Sequence, residues 1–330
     1  MYRVLVIDTP RSDYLEGLDV ERRVLANQAE VELCRVRDES AIDGRLERAD
    51  FIISWYFVGL SARSFARMGN CRGVVRAAVG YDNIDIDAAA DRGIPVANVP
   101  DYGTEEVADH AIGLLLALVR NFAGTDQASR RGEWDWRAIG PVRRLRGMRL
   151  GLVGFGRIGT AMAQRARAFG MEVVFFDPFV PDGIDRAVGV GRSETLDELL
   201  SSCPVISLHV PSSQLTRRMI GARQLAKMPP DGILINTARG DIVDQAALMD
   251  HLKANPSFRA GLDVLEGEPH VAAPLSESRQ VILTAHSAFY ADESLVEMRR
   301  KSAETVGRLS CGEPVRTIVN SAQIKPLRGR

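Results

Sequence analysis

Short apolar runs recur along the first hundred residues, separated by stretches in which apolar residues return every three or four positions. Tyr2–Ile7, Val31–Val36, Phe51–Trp55, Val74–Val79 and Ile94–Val99 read as strands, Leu15–Leu25 as a helix, and Asp85–Asp91 as a short helix closed by Gly93. Strands alternating with helices predict a parallel α/β sheet. A second series begins at Arg149. Its strands are Leu150–Val153, Val173–Phe176, Val205–His209, Ile233–Asn236, Gly261–Val264 and Val281–Thr284, with helical spacing over Thr195–Ser202 and Gln245–Ala254 between them. About six strands make a complete doubly wound sheet. A helix, Glu105–Leu118, precedes this series; Phe122–Arg146 reads as irregular; one long helix, Glu293–Leu309, follows.

Gly154-Phe155-Gly156-Arg157-Ile158-Gly159 joins the strand Leu150–Val153 to helical spacing at Ile158, Met162, Ala166 and Phe169. The next strand ends at Asp177, eighteen positions past Gly159. Strand, glycine loop, helix, strand and acid in this order predict a dinucleotide site. The glycines let the backbone turn tightly and approach a pyrophosphate, and the helix N-terminus offers N–H groups and a positive dipole end. Asp177 suits ribose hydroxyls and would repel a 2′-phosphate, which favours NAD. The first series carries no such loop. The expected architecture is therefore α/β with two domains. A doubly wound Rossmann domain, residues 101–286, is inserted into a flavodoxin-like α/β domain made of residues 1–100 and 287–330. Two chain crossings would form a hinge beside a cleft, where such folds bind ligands.

Length and composition agree with this reading. A chain of 330 residues suits two domains, and a hydrophobic content of 45% fills two cores. The net charge of −1 gives no reason to expect nucleic acid. Cys34, Cys71, Cys203 and Cys311 are scattered, which fits a reducing cytoplasm and no disulfide framework. No metal-ligand spacing is present, so no metal is expected. The N-terminus lacks a signal-peptide pattern, and the apolar run Ala111–Val119 is too short to span a bilayer.

Reduction of a carbonyl by a nicotinamide needs a positioned cation and a proton donor. Arg239 follows the strand Ile233–Asn236, Glu268 lies just past Gly261–Val264, and His286 closes the run from Val281. A guanidinium can grip a carboxylate through two N–H bonds. A carboxylate on one imidazole nitrogen fixes the tautomer and lets the other nitrogen deliver a proton. His209 ends a strand and suits cofactor contact; His110, His251 and His270 suit solvated or capping roles.

Together these residues resemble the D-isomer-specific 2-hydroxyacid dehydrogenase family. Val79-Gly80-Tyr81-Asp82-Asn83-Ile84-Asp85, the glycine loop, residues 209–216, 236–240 and 263–269, and His286 carry the resemblance across nearly the whole chain. It places the family's catalytic arginine, glutamate and histidine on Arg239, Glu268 and His286, and picks Glu268 over Glu266. It implies a cofactor site of Val79, Thr104, Phe155, Arg157, Ile158, Asp177, Pro178, His209, Val210, Pro211, Thr216, Thr237, Ala238, Arg239, Asp263, His286 and Ala288 besides the three glycines. Asp263 would bond the nicotinamide carboxamide. Trp55, Ala78, Val79 and Gly80 would meet the substrate with Arg239 and His286.

Within the family the chain looks most like the C-terminal-binding-protein branch, on residues 177–184, 286–290 and Val75-Arg76. That branch sets an arginine, here Arg76, toward the substrate carboxylate. Phe289 stands where its corepressors have tryptophan, and Ala78 where they have glycine. The resemblance implies a homodimer joined through residues 105–146, with Trp134 and Trp136 packed at the interface. The expected activity is NAD-dependent reduction of a small 2-keto acid, without nucleic-acid or membrane partners. The alternatives are an NAD(H)-sensing corepressor-like binding protein and a phosphite-type dehydrogenase.

Overall fold

The computed structural model describes residues 1–10, 17–55 and 58–324, without the side chains of residues 138 and 139. The chain forms two compact units. One is Met1–Gly103 together with the chain from Ala291 onward; the other is Thr104–Tyr290. The crossings thus fall a few residues later than positions 100 and 286.

The first unit carries β1 (Tyr2–Asp8), β2 (Ala29–Arg35), β3 (Phe51–Ser54), β4 (Gly73–Arg76) and β5 (Val96–Asn98). They pair in the order β2-β1-β3-β4-β5, all parallel, which is the flavodoxin-like arrangement. Every residue of β3 and β4 is buried, which is why both read as unbroken apolar runs. The helix expected over residues 15–25 is Asp19–Val24; its first expected positions, 15 and 16, lie outside the described residues.

The C-terminal chain returns to this unit. Asn320, fully buried, accepts the Val96 N–H at 2.9 Å and donates to the Ile94 carbonyl at 3.0 Å. In the helix Asp292–Ser310, Arg299 sends Nε to Glu21 Oε1 at 2.9 Å and Nη2 to Glu21 Oε2 at 2.7 Å. Nη2 also reaches the Gly17 carbonyl at 2.7 Å. Burial works against the guanidinium charge, but Glu21 and Asp19 outweigh it and raise the Arg299 pKa.

The second unit holds β6 (Arg149–Val153), β7 (Glu172–Phe176), β8 (Gly191–Arg192), β9 (Val205–Leu208), β10 (Ile233–Asn236), β11 (Arg259–Leu262) and β12 (Val281–Leu283). The order is β12-β11-β10-β9-β6-β7-β8, again all parallel. It is the doubly wound order with a seventh strand, where the apolar pattern predicts about six. The extra edge strand, β8, spans two residues and is too short to leave a pattern. The order reverses between β6 and β9, so the carboxyl ends of those strands mark the ligand crevice.

Helix Thr104–Arg120 buries Ala111, Leu114, Leu115 and Leu118 against this sheet. Gly261 of β11 lets it approach: a Cβ there would lie 3.1 Å from Leu114 Cβ. Residues 122–146 are not irregular throughout, because Phe122–Arg130 is a helix. It buries only Ala128, so it has no apolar stripe to read. Polar links hold it instead, including Thr125 Oγ1 to the Asn121 carbonyl at 2.8 Å and the Asp126–Arg130 pair at 2.8 Å. Trp134 and Trp136 are 89% and 78% exposed in the single chain. No single helix among the described residues is long and apolar enough to cross a membrane.

Glu21→Ala leaves the Arg299 guanidinium buried without its main partner. It is expected to cost roughly 3–5 kcal/mol in urea unfolding. A loss under about 1 kcal/mol would show that the pair behaves like an exposed one.

Candidate active site

The glycine loop follows β6 and opens helix Arg157–Ala168. Its three glycines do different work. Gly154 has φ +93, and a Cβ on it would lie 2.7 Å from the His209 carbonyl oxygen. A Cβ on Gly159 would lie 2.3 Å from the Gly154 carbonyl oxygen, so no other residue fits there without moving backbone. At Gly156 an added Cβ meets nothing within 4 Å. The first and third glycines close the protein on itself, and the second faces open space. No side chain caps the helix start among the described residues, which suits N–H groups meant for an anion. This geometry fits a pyrophosphate.

Asp177 braces the same loop. Its Oδ2 accepts the Phe155 N–H and its Oδ1 the Phe179 N–H, both at 2.9 Å. Phe155 stacks on Phe175 with ring centroids 4.0 Å apart. Arg192, which no sequence signal picked out, binds the Asp177 carbonyl at 3.3 Å and Asp182 at 3.2 Å, and so holds the turn after β7. Across the crevice, burial pushes the His209 imidazole down to about 4, and its Nε2 lies 2.9 Å from Ser207 Oγ. It is neutral at physiological pH and no reserve of protons. Thr216 turns its hydroxyl onto the Pro211 carbonyl at 2.5 Å, shaping the loop after β9. Ile158, Val210, Ala238 and Thr104 are half-buried, Arg157, Pro178 and Pro211 exposed, and Thr237 buried.

Arg239 follows β10 in a loop set by Asn236. The Asn236 amide accepts the Ala238 N–H at 3.0 Å and donates to the Arg239 carbonyl at 2.8 Å. The Arg239 guanidinium donates to the Ala238 carbonyl at 2.7 Å. A Cβ on Gly240 would fall 2.0 Å from the Leu265 carbonyl carbon, so the loops after β10 and β11 touch through a residue that must be glycine. Asp241, also missed in the sequence, ties this loop to the one after β9. Its Oδ2 accepts Ser212 Oγ at 2.6 Å and Arg217 Nε at 3.2 Å.

Glu268 Oε1 lies 2.5 Å from His286 Nδ1, and Glu268 Oε2 accepts the Leu265 N–H at 3.3 Å. Glu266 turns to Arg218 instead, at 2.6 Å. Burial alone would raise the Glu268 carboxyl; the His286 hydrogen bond and charge, the Leu265 N–H and the Arg239 charge outweigh it and hold the carboxyl below its usual range. The Phe289 ring stands edge-on to His286, centroids 6.4 Å apart. Asp263 is 2% exposed, and its carboxylate accepts the Thr284 hydroxyl at 2.5 Å and the N–H groups of Ser287 at 2.9 Å and Ala288 at 3.0 Å. Through these bonds Asp263 shapes the corner that bears His286.

Trp55, Arg76, Ala78, Val79 and Gly80 belong to the other unit, after β3 and in or just past β4. Arg76 is 3% exposed, with Nε on Asn83 Oδ1 at 2.9 Å and Nη1 on the Ser54 carbonyl at 3.3 Å. Asn98 holds the Val79 carbonyl at 2.7 Å. Trp55 is fully buried.

The model of the D-isomer specific 2-hydroxyacid dehydrogenase NAD binding domain matches residues 112–288. The chain belongs to this family. It is 38% identical to a glyoxylate reductase from Korarchaeum cryptofilum over 286 residues, covering 85% of this chain and 86% of the relative. It is 32% identical to a D-3-phosphoglycerate dehydrogenase from Methanocaldococcus jannaschii over 324 residues, 98% of this chain but only 60% of that longer relative. Among solved structures, a D-lactate dehydrogenase from Aquifex aeolicus complexed with NAD and lactic acid superposes with a TM-score of 0.84 at 28% identity, over 98% of this chain and 99% of that one. An NADPH-dependent glyoxylate/hydroxypyruvate reductase from Sinorhizobium meliloti, in complex with NADP and malonate, gives 0.84 at 29% identity, over 100% and 99%. These relatives are oxidoreductases acting on the CH–OH group of hydroxy acids, and the matched residues make the seven-stranded unit here the NAD-binding domain.

Two expectations follow. Gly156→Ala should leave thermal stability unchanged and weaken NADH binding, whereas Gly159→Ala should lower stability itself; equal melting losses would contradict the division of labour. Glu268→Gln keeps the side-chain shape and removes the charge beside His286 Nδ1, so kcat should fall about a hundredfold. The paired charge is present above the ordinary glutamate range and is lost as pH falls through the lowered value, so the wild-type acid limb should lie below that range. An unchanged kcat in the variant would remove Glu268 from the reaction.

Proposed function

We propose that the protein reduces a small 2-keto acid with NADH to the D-2-hydroxy acid and runs the reverse reaction. The observation that carries this reading is the Glu268–His286 contact of 2.5 Å, set beside Arg239 at neighbouring strand ends of the NAD-binding unit. The glycine loop and Asp177 would hold the cofactor, which supplies the hydride when bound. Arg239 grips the substrate carboxylate and polarises its carbonyl. His286 delivers the proton from Nε2 to the developing alkoxide, and Glu268 keeps the ring charged and in register.

The finer reading keeps the C-terminal-binding-protein-like branch, on the strength of residues 177–184 and 286–290. We place the protein in the cytoplasm, as its four cysteines without disulfide partners suggest. It works as a homodimer through helix Thr104–Arg120 and the segment after it, where Phe122, Trp134 and Trp136 are exposed. Relatives named for hydroxy- and keto-acid substrates support this reading over a corepressor-like sensor and a phosphite enzyme.

NADH oxidation against a panel of 2-keto acids, including glyoxylate, hydroxypyruvate and pyruvate, tests the activity. Turnover of at least one should fall about a hundredfold in kcat/KM in Arg239→Ala. NADH binding without turnover across the panel would overturn the reading in favour of a sensor.

A further inference from the structure

His286 sits at a corner with φ +52, in the left-handed region that a residue with a Cβ enters at a cost. Such a corner persists only where its surroundings over-determine it. Asp263 does most of this. Its carbonyl accepts the His286 N–H at 2.8 Å, and its carboxylate accepts the next two N–H groups, from Ser287 and Ala288. The same carboxylate takes the Thr284 hydroxyl at 2.5 Å. Behind Thr284 stands His110 of helix Thr104–Arg120, with Nε2 2.9 Å from Thr284 Oγ1 and 3.6 Å from Asp263 Oδ1.

Counting protons fixes the direction of this chain. Thr284 has one hydroxyl proton, and Asp263, already accepting two backbone N–H groups, accepts rather than donates. That proton therefore goes to Asp263. His110 Nε2 then faces a hydroxyl oxygen with no proton left to give it, so Nε2 must itself carry one. The order is His110 Nε2–H to Thr284 Oγ1, Thr284 O–H to Asp263 Oδ1, and Asp263 to the N–H groups after His286.

We propose that His110 is a positioning residue for the reaction, acting through Thr284 and Asp263 to hold the His286 corner with Nδ1 on Glu268. This rests on the proposed role of His286 as proton donor. It replaces the solvated or capping role that helical placement predicts for His110. Without the His110 donor, Thr284 is free to rotate, Asp263 loses its hydroxyl, and the His286 ring loses its register against Glu268.

The test uses the full-length protein and the variants H110L, H110Q, T284V and H110L/T284V. A glutamine amide keeps an N–H donor near the position of Nε2; leucine removes it. H110L should lower kcat about tenfold, since small misplacements of a reacting group are costly, while leaving the NADH dissociation constant unchanged. H110Q should recover most of the loss. T284V should match H110L, and the double variant should be no worse than either single one. Full kcat in H110L, or no rescue by H110Q, overturns the proposal.

A second measurement separates this inference from the activity reading. In 15N-histidine NMR spectra recorded without substrate at one fixed pH, the His286 Nδ1 resonance, which reports the contact with Glu268, should change in H110L and return in H110Q. An unchanged resonance sinks the positioning role, whatever the enzyme turns over. Absence of turnover in the wild type, with the resonance changing as described, would sink the activity reading alone.

Discussion

A carboxylate buried under a sheet edge survives only if donors reach both of its oxygens, and Asp263 meets that condition with groups drawn from one corner of the chain. The corner in turn holds a strained backbone at His286. The two needs satisfy each other. Asp263 avoids an unpaired charge by bending residues 284–288 around itself, and the bend presents the His286 ring to Glu268. The His286–Glu268 contact therefore follows from satisfying a buried acid at the end of β11.

Similar logic sets the cofactor end. Gly154 and Gly159 are glycines because backbone carbonyls occupy the space of a side chain, whereas the space beside Gly156 holds no protein atom. Asp177 braces the loop from the neighbouring strand end through the Phe155 N–H. Gly240, pressed against Leu265, brings the loops of Arg239 and Glu268 into contact. Close backbone approach, rather than side-chain packing, sets the spacing of these loops.

Much of this was legible in the sequence. Fully buried parallel strands appear as unbroken Val/Ile/Leu runs, so the central strands of both sheets were recoverable, and motif context placed the glycine loop. Arg239, Glu268 and His286 stood out because each follows a strand end. What escaped has physical causes. β8 is too short to carry a period. The helix Phe122–Arg130 is held by polar side chains rather than an apolar stripe. Asp263 could be named but not assigned its partners, since hydrogen bonds to backbone N–H groups twenty or so residues away leave no local signal. The link from His110 to Thr284 spans 174 positions and is visible only in three dimensions.

The direct measurement is a crystal structure with NAD and a non-reducible 2-keto acid analogue. His286 Nε2 is expected within about 3 Å of the analogue's carbonyl oxygen, with Nδ1 on Glu268 and Arg239 on the carboxylate. An analogue bound with its carbonyl turned away from His286, or a His286 ring released from Glu268, would contradict the assignment.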